Sequence, residues 1–465
     1  MERITARDIV GWTSGTLLAG EECVEITSVS TDSRSDCTGA LFVPIKGENF
    51  DGHDFIGTAV EKGAVAVISE YGNGGNDYPS GVVVVKVNDT LRAFQDIAAG
   101  YRRQFTPTIV AVTGSNGKTT TKEFIRAVSE VKFTTVSTKG TKNNHVGLPQ
   151  SLFSIGSDTE VGVFEIGMSA PGEIRNLARI AGPSIGVITN VYPAHTEFFK
   201  SIDDIALAKN ELLEVIDEDG VAVLNADDEY FGFLKKRTSS RIRSFGLRNA
   251  ADVSGSSVRQ SADGVVFSVA AGGNEAECRL MAFGEHNASN ALAAIAVGLE
   301  LGIGLEDSCR ALSRAELPDM RFQIQEISGI MVINDAYNAN PSSTVAALDA
   351  LEAIDRSGRM IVVLGNMLEL GWYSAEGHRK VGKRVASSKA DALITVGELA
   401  AEIADAALAE GYGGEVSKVD SADEAAEVLG ETLMEGDAVF IKGSRAMGLE
   451  SIVESLKKNR LIESS

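Results

Sequence analysis

The chain has 465 residues, 44% hydrophobic and 23% charged, which is enough apolar material for several packed cores and about three domains. Forty-three Lys and Arg against 65 Asp and Glu leave a formal net charge of −22, which argues against a broad basic face and against nucleic acid as the main partner. Any phosphate bound here needs a local site of backbone N–H groups and one or two cations, an arrangement suited to a small nucleotide with its metal.

Short Val- and Ile-rich runs recur with helical segments between them, at residues 82–87, 108–112, 161–166, 185–189, 221–224, 330–333, 360–364, 392–396 and 438–441. Such runs, lacking strict alternation, predict strands covered on both faces of parallel sheets, so the class is α/β. Residues 71–81 read as a surface loop within the first unit, and a helix over 90–101 closes that unit near Arg103. Between 248 and 284 short alternating strands with Gly turns predict a small antiparallel addition to the central unit. A helix ending at Pro318 marks the second boundary. The units are then 1–103, 104–317 and 318–465. Cys23, Cys37, Cys278 and Cys309 stand singly, the N-terminus lacks a signal-peptide core, and the most apolar helical stretch, 291–298, is too short to span a bilayer. A cytoplasmic, non-exported protein is expected.

The strongest local signal is Thr108-Ile-Val-Ala-Val-Thr-Gly-Ser-Asn-Gly-Lys-Thr-Thr-Thr-Lys-Glu123, an apolar strand, a Gly-rich turn and a helix. Gly114, Ser115, Asn116 and Gly117 form a phosphate-binding loop, Lys118 reaches the β and γ phosphates, and Thr119, followed by Thr120, supplies a hydroxyl to Mg²⁺. The loop is shorter than the general GxxxxGK[ST] pattern, which would place a glycine at Val112. Glu165 and His195 each follow a predicted strand at the carboxyl edge, where a nucleotide's metal ligands belong.

Twelve segments then stand in order: Thr31-Asp-Ser-Arg34, Leu41-Phe-Val-Pro-Ile-Lys-Gly-Glu48, Asp51-Gly-His-Asp-Phe55, the shortened loop, Asn143-Asn-His-Val-Gly-Leu-Pro149, Glu165-Ile-Gly, Ala194-His-Thr-Glu-Phe198, Ala208-Lys-Asn-Glu211, His286-Asn-Ala-Ser-Asn-Ala-Leu-Ala-Ala294, Asp335-Ala-Tyr-Asn-Ala-Asn-Pro341, Leu364-Gly-Asn-Met-Leu-Glu-Leu-Gly371 and Lys442-Gly-Ser-Arg445. Together they resemble the Mur ligases of peptidoglycan synthesis. The resemblance implies an N-terminal α/β domain for a UDP-linked substrate, a central P-loop ATPase with a mostly parallel sheet, and a C-terminal doubly wound domain. It also implies ATP-driven amide formation through an acyl phosphate, in a monomer with no membrane span.

By the same resemblance Lys118 and Thr119 hold the phosphates and a first Mg²⁺ that Glu165 shares, and His195 helps bind a second. Lys209 stands where many relatives carry a carbamylated lysine; read alone, it is an exposed helix lysine. His286, Asn287 and Asn290 match the adenine side, and Arg321 and Asp335 the groups the third domain brings to the nucleotide. Ser33, Arg34 and Lys46 match the uridine side, although the Asp-x-Arg segment also reads as an Asx turn with a surface arginine. Asn143 and Asn144 orient either the muramoyl group or the reacting peptide end, or simply form a turn before a helix. The 335–343 and 364–371 segments are closest to the member that adds D-alanyl-D-alanine to UDP-N-acetylmuramoyl-tripeptide. Tyr337, Asn338, Asn340 and Glu369 are then expected around the dipeptide, with Lys442 or Arg445 meeting a carboxylate. The other readings are the tripeptide-forming member, a folylpolyglutamate synthetase-like ligase, or a regulatory P-loop ATPase. Three positions depart from the family pattern: Met320 replaces a usual glycine, Asn366 a usual aspartate, and Thr141 a frequent asparagine.

Overall fold

The computed structural model describes residues 1–47, 50–70, 78, 81–261 and 263–463. Apart from Tyr78 and Gly81, the predicted loop at 71–81 lies outside the described residues, as does Glu48 of the Leu41 segment. Three large sheets follow one another along the chain, besides a two-stranded ribbon of Ile4–Thr5 and Glu25–Ile26. The first runs, in spatial order, Thr16–Ala19, Val83–Lys86, Ala66–Ser69, Ala40–Phe42 and Ser28–Ser30, parallel except at the Thr16–Ala19 edge. Alternate residues feed opposite faces: Leu41, Ile68 and Val85 join one core, Phe42, Val67 and Val84 another.

The central sheet has nine strands. Thr108–Thr113 lies inside it, parallel to Val161–Glu165 on one side and Ile185–Ile188 on the other. Beyond Ile185–Ile188 come Val221–Asn225 and Arg241–Gly246, also parallel. The expected antiparallel addition is real, and it is continuous with this sheet: Val253–Ser261, Gly264–Ala271 and Asn274–Leu280 extend its edge as a meander. Val110, Val112, Val163 and Val187 face the helices Lys118–Ser129 and Glu285–Glu300, whereas Ile109, Ala111, Phe164 and Ile188 face the other way.

That second face is shared with the first unit. The helix Thr90–Arg102, capped by the Asp89 carboxylate on the Arg92 N–H at 2.8 Å, packs on the helices Gly147–Leu152 and Glu173–Ala181 that cover it. Tyr101, fully buried, donates its hydroxyl to the Ile155 carbonyl at 2.6 Å, Phe94 meets Phe153 with ring centroids 6.0 Å apart, and Arg102 donates to the Gly182 carbonyl. Each such aromatic contributes about 2 kcal/mol by burial. The two units divided near Arg103 are not packed separately: they share one core.

The third sheet orders Gln323–Ile327, Ile330–Asn334, Ala438–Lys442, Met360–Gly365, Ala392–Val396 and Glu415–Val419, parallel except for the opening hairpin. Val362, Leu364 and Phe440 pack on one face and Ile361, Val363 and Ile441 on the other, so helices cover both faces. The helix expected to end at Pro318 does not reach it. The helix before the link is Leu305–Leu312 and stops short of Pro318, because a tightening bond from the Ala315 N–H to the Leu312 carbonyl closes it. In the link, Met320 takes φ 57°, the left-handed region that a glycine enters without strain, so the turn survives the glycine's replacement.

Candidate active site

The register Glu165 to Val112 and Ile188 to Thr113 sets three strand ends side by side. The loop 114–117 leaves from the middle one. Gly114 has φ 150° and a Cβ there would overlap Thr189 Oγ1; Gly117 has φ 78° and a Cβ would overlap Asn290. Glycine is required at both. The loop is held from behind: the Ser115 N–H donates to the Asn190 carbonyl at 3.0 Å, Ser115 Oγ to the Tyr192 carbonyl at 2.8 Å, and the Asn116 N–H to Asn190 Oδ1 at 2.8 Å. The helix Lys118–Ser129 begins with no side-chain cap, so its first N–H groups are available to an anion. Half-buried Lys118 curls over the loop, donating to the Gly114 carbonyl at 2.9 Å. Packing around it pushes its pKa down, with Glu165 pulling the other way.

Glu165 is 1% exposed, with one oxygen accepting from Asn143 Nδ2 at 2.6 Å and the other, Oε2, buried without a partner. Thr119 is buried at the same end of the sheet. Among the described residues no three His, Cys, Asp or Glu side chains cluster as a metal cage. A lone carboxylate with a spare buried oxygen, a hydroxyl and a phosphate loop suits Mg²⁺, which takes few protein ligands and completes its shell with phosphate and water. Lys209 is also at this wall and is 1% exposed, so the sequence's bland reading of it as an exposed helix lysine is overturned. Burial, then the neighbouring Lys118 charge, push its pKa well below the usual lysine value, only partly offset by Asp228.

The third unit closes the cavity, whose volume is about 1040 Å³. Arg321 donates to Thr119 Oγ1 at 2.8 Å with its guanidinium 4.3 Å from the Tyr337 ring centre. Asn340 Nδ2 donates to Asn116 Oδ1 at 2.7 Å, and Asn116 Nδ2 to Ser342 Oγ at 2.8 Å. Asn340 also caps the helix Pro341–Leu351. Lys442, 4% exposed, binds Asp335 at 2.6 Å and the Asn338 carbonyl at 3.0 Å. That pairing uses its charge internally, where the sequence suggests a substrate carboxylate. His286, Asn287 and Asn290 line the opposite wall, with Asn290 donating to Asn287 Oδ1.

Other expected residues lie elsewhere. Ser33, Arg34 and Lys46 are in the first unit, away from the cavity lining. Exposed Arg34 forms the Asx turn, both its N–H and guanidinium reaching Asp32, and that pairing holds the Asp32 carboxyl down to about 2. Asn144 accepts from the Val146 and Gly147 N–H groups, the turn before a helix, although it still lines the cavity. Glu369 does not line the cavity: it pairs with His195 Nδ1 at 2.6 Å. Arg445 sits outside, paired with Glu450. The departure at Asn366 is internal, its oxygen accepting from the Ala400 N–H, and Thr141 lines the cavity. Sequence reasoning missed Asn190 and Ser342. Asn190's position two residues past an apolar strand was a usable signal; Ser342 offered none, because its partner Asn116 is 226 residues away.

Three family models match in order: the Mur ligase family catalytic domain over residues 25–102, the Mur ligase middle domain over 112–298, and the Mur ligase glutamate ligase domain over 320–445. The UDP-N-acetylmuramoyl-tripeptide–D-alanyl-D-alanine ligase of Bacillus subtilis (strain 168) is 37% identical over 99% of this chain and 100% of its own. Its counterpart in Treponema pallidum is 36% identical over 93% and 94%. Among solved structures, MurF from Acinetobacter baumannii superposes with a TM-score of 0.90 at 29% identity, covering 98% and 99% of the two chains. MurF ligase from Thermotoga maritima, in complex with ADP, gives 0.83 at 27% identity, covering 94% and 98%. Matched along its length by these models and relatives, the chain belongs to the Mur ligase family.

Proposed function

We propose that the chain is an ADP-forming ligase that joins D-alanyl-D-alanine to UDP-N-acetylmuramoyl-tripeptide, using ATP, to make the pentapeptide of peptidoglycan synthesis. The observation that carries this reading is one cavity walled on one side by the phosphate loop with Glu165 and Lys209, and on the other by the 335–343 segment of the third unit. On this reading residues 1–103 hold the UDP-linked substrate, 104–317 the ATP, and 318–465 the dipeptide. The protein acts as a cytoplasmic monomer; among the described residues no helix is long and apolar enough to cross a membrane.

The tripeptide's terminal carboxylate attacks the γ-phosphorus, forming an O–P bond as ADP leaves. The dipeptide amine then attacks the acyl carbon, forming the amide as phosphate departs with its oxygen and the amine loses a proton. The uncapped helix start and Lys118 balance the charge of the phosphates, and the loop's backing by Asn190 fixes its N–H groups before substrate arrives. Asn116, tied to Asn340 and Ser342, ties the loop to the dipeptide-side segment. Arg321 and Asp335 come to the nucleotide from the third unit, and His286, Asn287 and Asn290 take the adenine end. Asn143 holds Glu165 while facing the reacting peptide end. Ser33, Arg34 and Lys46 serve the uridine nucleotide, Arg34 leaving Asp32 to do so.

Thr119 and Glu165 would hold one Mg²⁺ and His195 a second. Bound there, the ions screen the approach of two anions. Arg321 must then yield Thr119 Oγ1. Buried Lys209, its amine biased toward the neutral form, suits addition of CO₂ at Nζ with release of one proton, giving a carbamate beside the metal.

The test is phosphate release with acceptor swaps. Release that requires both UDP-N-acetylmuramoyl-tripeptide and D-alanyl-D-alanine supports the proposal. Release with a single amino acid points to the tripeptide-forming or folylpolyglutamate type, and release with neither to a regulatory ATPase.

A further inference from the structure

The 366–373 segment of the third unit meets the 194–199 segment of the central unit in a contact that the proposed chemistry leaves unused. At its centre His195 Nδ1 lies 2.6 Å from Glu369 Oε2. Both residues are non-glycine and both sit in the left-handed region, His195 at φ 57° and Glu369 at φ 59°. Such backbone persists only where the surroundings over-determine it. Here they do: the Glu197 N–H donates to the Glu369 carbonyl at 3.1 Å, Thr196 Oγ1 to the Leu370 carbonyl at 2.6 Å, and Trp372 Nε1 to the Phe199 carbonyl at 2.8 Å. The two loops are thereby held in register.

A carboxylate has no proton to give, so the proton in the 2.6 Å contact belongs to Nδ1. In the neutral ring this leaves the lone pair on Nε2, which among the described residues has no protein hydrogen-bond partner, and His195 is one of the residues that line the cavity. A second group that fixes the tautomer and orientation of an imidazole is what a histidine needs to act as a ligand. We infer that Glu369 is a positioning residue, which reaches across from the third unit to hold His195 as the Nδ1–H tautomer, with Nε2 free for the metal and phosphate side. It acts through His195 and not on the dipeptide. Because Glu369 arrives on the third unit, His195 is set only when that unit docks, so the ATP side is completed by the domain that carries the amine.

The inference rests on the proposed role of His195, and the test separates the two. Four variants of the full chain are compared with wild type: Glu369→Ala, Glu369→Gln, Trp372→Phe and His195→Ala. Two readouts are taken, the ring-nitrogen shifts of His195 by ¹⁵N NMR and the Mg²⁺ concentration for half-maximal turnover with all substrates. The chain has only five histidines, and His195→Ala assigns the signal. Glu369→Ala is expected to mix the tautomers and to raise the Mg²⁺ requirement about tenfold or more, with the rate at saturating Mg²⁺ within a few-fold of wild type. Glu369→Gln, whose amide oxygen still accepts from Nδ1–H, restores both to within about threefold. Trp372→Phe removes one hydrogen bond of the same contact but not the one to His195, so the docked tautomer stays as in wild type and the Mg²⁺ requirement shifts by no more than a few-fold. Unchanged nitrogen shifts in Glu369→Ala, or a Mg²⁺ requirement raised equally by Trp372→Phe, would overturn the inference. An unchanged Mg²⁺ requirement in His195→Ala would overturn the metal-side reading of that histidine instead.

Discussion

At Gly371 the third unit packs directly on the backbone of the central one, and a single methyl group there tests whether docking governs turnover. A Cβ at Gly371 would stand 2.6 Å from Glu197 Cα, 3.0 Å from Glu197 N and 3.2 Å from the Thr196 carbonyl oxygen. All three are backbone atoms, so no side chain can rotate away, and the two segments must part by about 1 Å to restore ordinary contact. That separation breaks the bonds from Glu197 N–H to Glu369 and from Thr196 Oγ1 to Leu370, about 1 kcal/mol each. The φ of 42° at Gly371 adds about 1 kcal/mol for an alanine, a strain released when the unit swings away. The sum, about 3 kcal/mol, weakens docking about 100-fold. Gly371→Ala should therefore lower kcat/KM for ATP by up to about 100-fold, and small-angle scattering should show a more extended particle. Thermal midpoints should hold, because the residue lies between units and in neither core. Wild-type turnover together with wild-type scattering would refute the argument.

Lys209→Met should abolish turnover yet stabilise the fold in CO₂-free buffer near neutral pH, since it removes a buried amine whose charge burial opposes. The folded pKa lies below the unfolded one, so the wild-type penalty is full at low pH and fades as pH rises toward the ordinary lysine value near 10.5; the variant's advantage in urea unfolding must shrink over that window. A flat difference across pH would count against it. Lys118→Ala should eliminate phosphate release while circular dichroism stays native, and wild-type rates would dismiss the phosphate-loop assignment. Asn143→Ala leaves Glu165 with neither oxygen bonded to a protein side chain; a several-fold shift in the Mg²⁺ requirement is expected, and none at all would detach Asn143 from the metal side. Tyr101→Phe strands the Ile155 carbonyl at the shared core and should lower unfolding free energy by about 2 kcal/mol without changing kcat; an unmoved urea midpoint would contradict the single-core description.

Much of this was legible along the chain because it depends on neighbours in sequence. The Val- and Ile-rich runs became strands with both faces covered, and the Gly-Ser-Asn-Gly-Lys-Thr turn became a loop at a helix start, because local sterics and burial decide such elements. Strands that are short or polar escaped notice: Thr135–Ser137 and Glu415–Val419 lie at sheet edges, where no continuous apolar run is needed. What tertiary structure alone decided was how each charge is used. Lys209 is buried and Arg34 exposed, Lys442 is spent on Asp335, and Glu369 faces His195 from 174 residues away. A side chain's type and spacing state what it can do. Its burial and its partner state what it does, and both are fixed only when distant segments pack, since desolvation and pairing depend on atoms that the local chain does not supply.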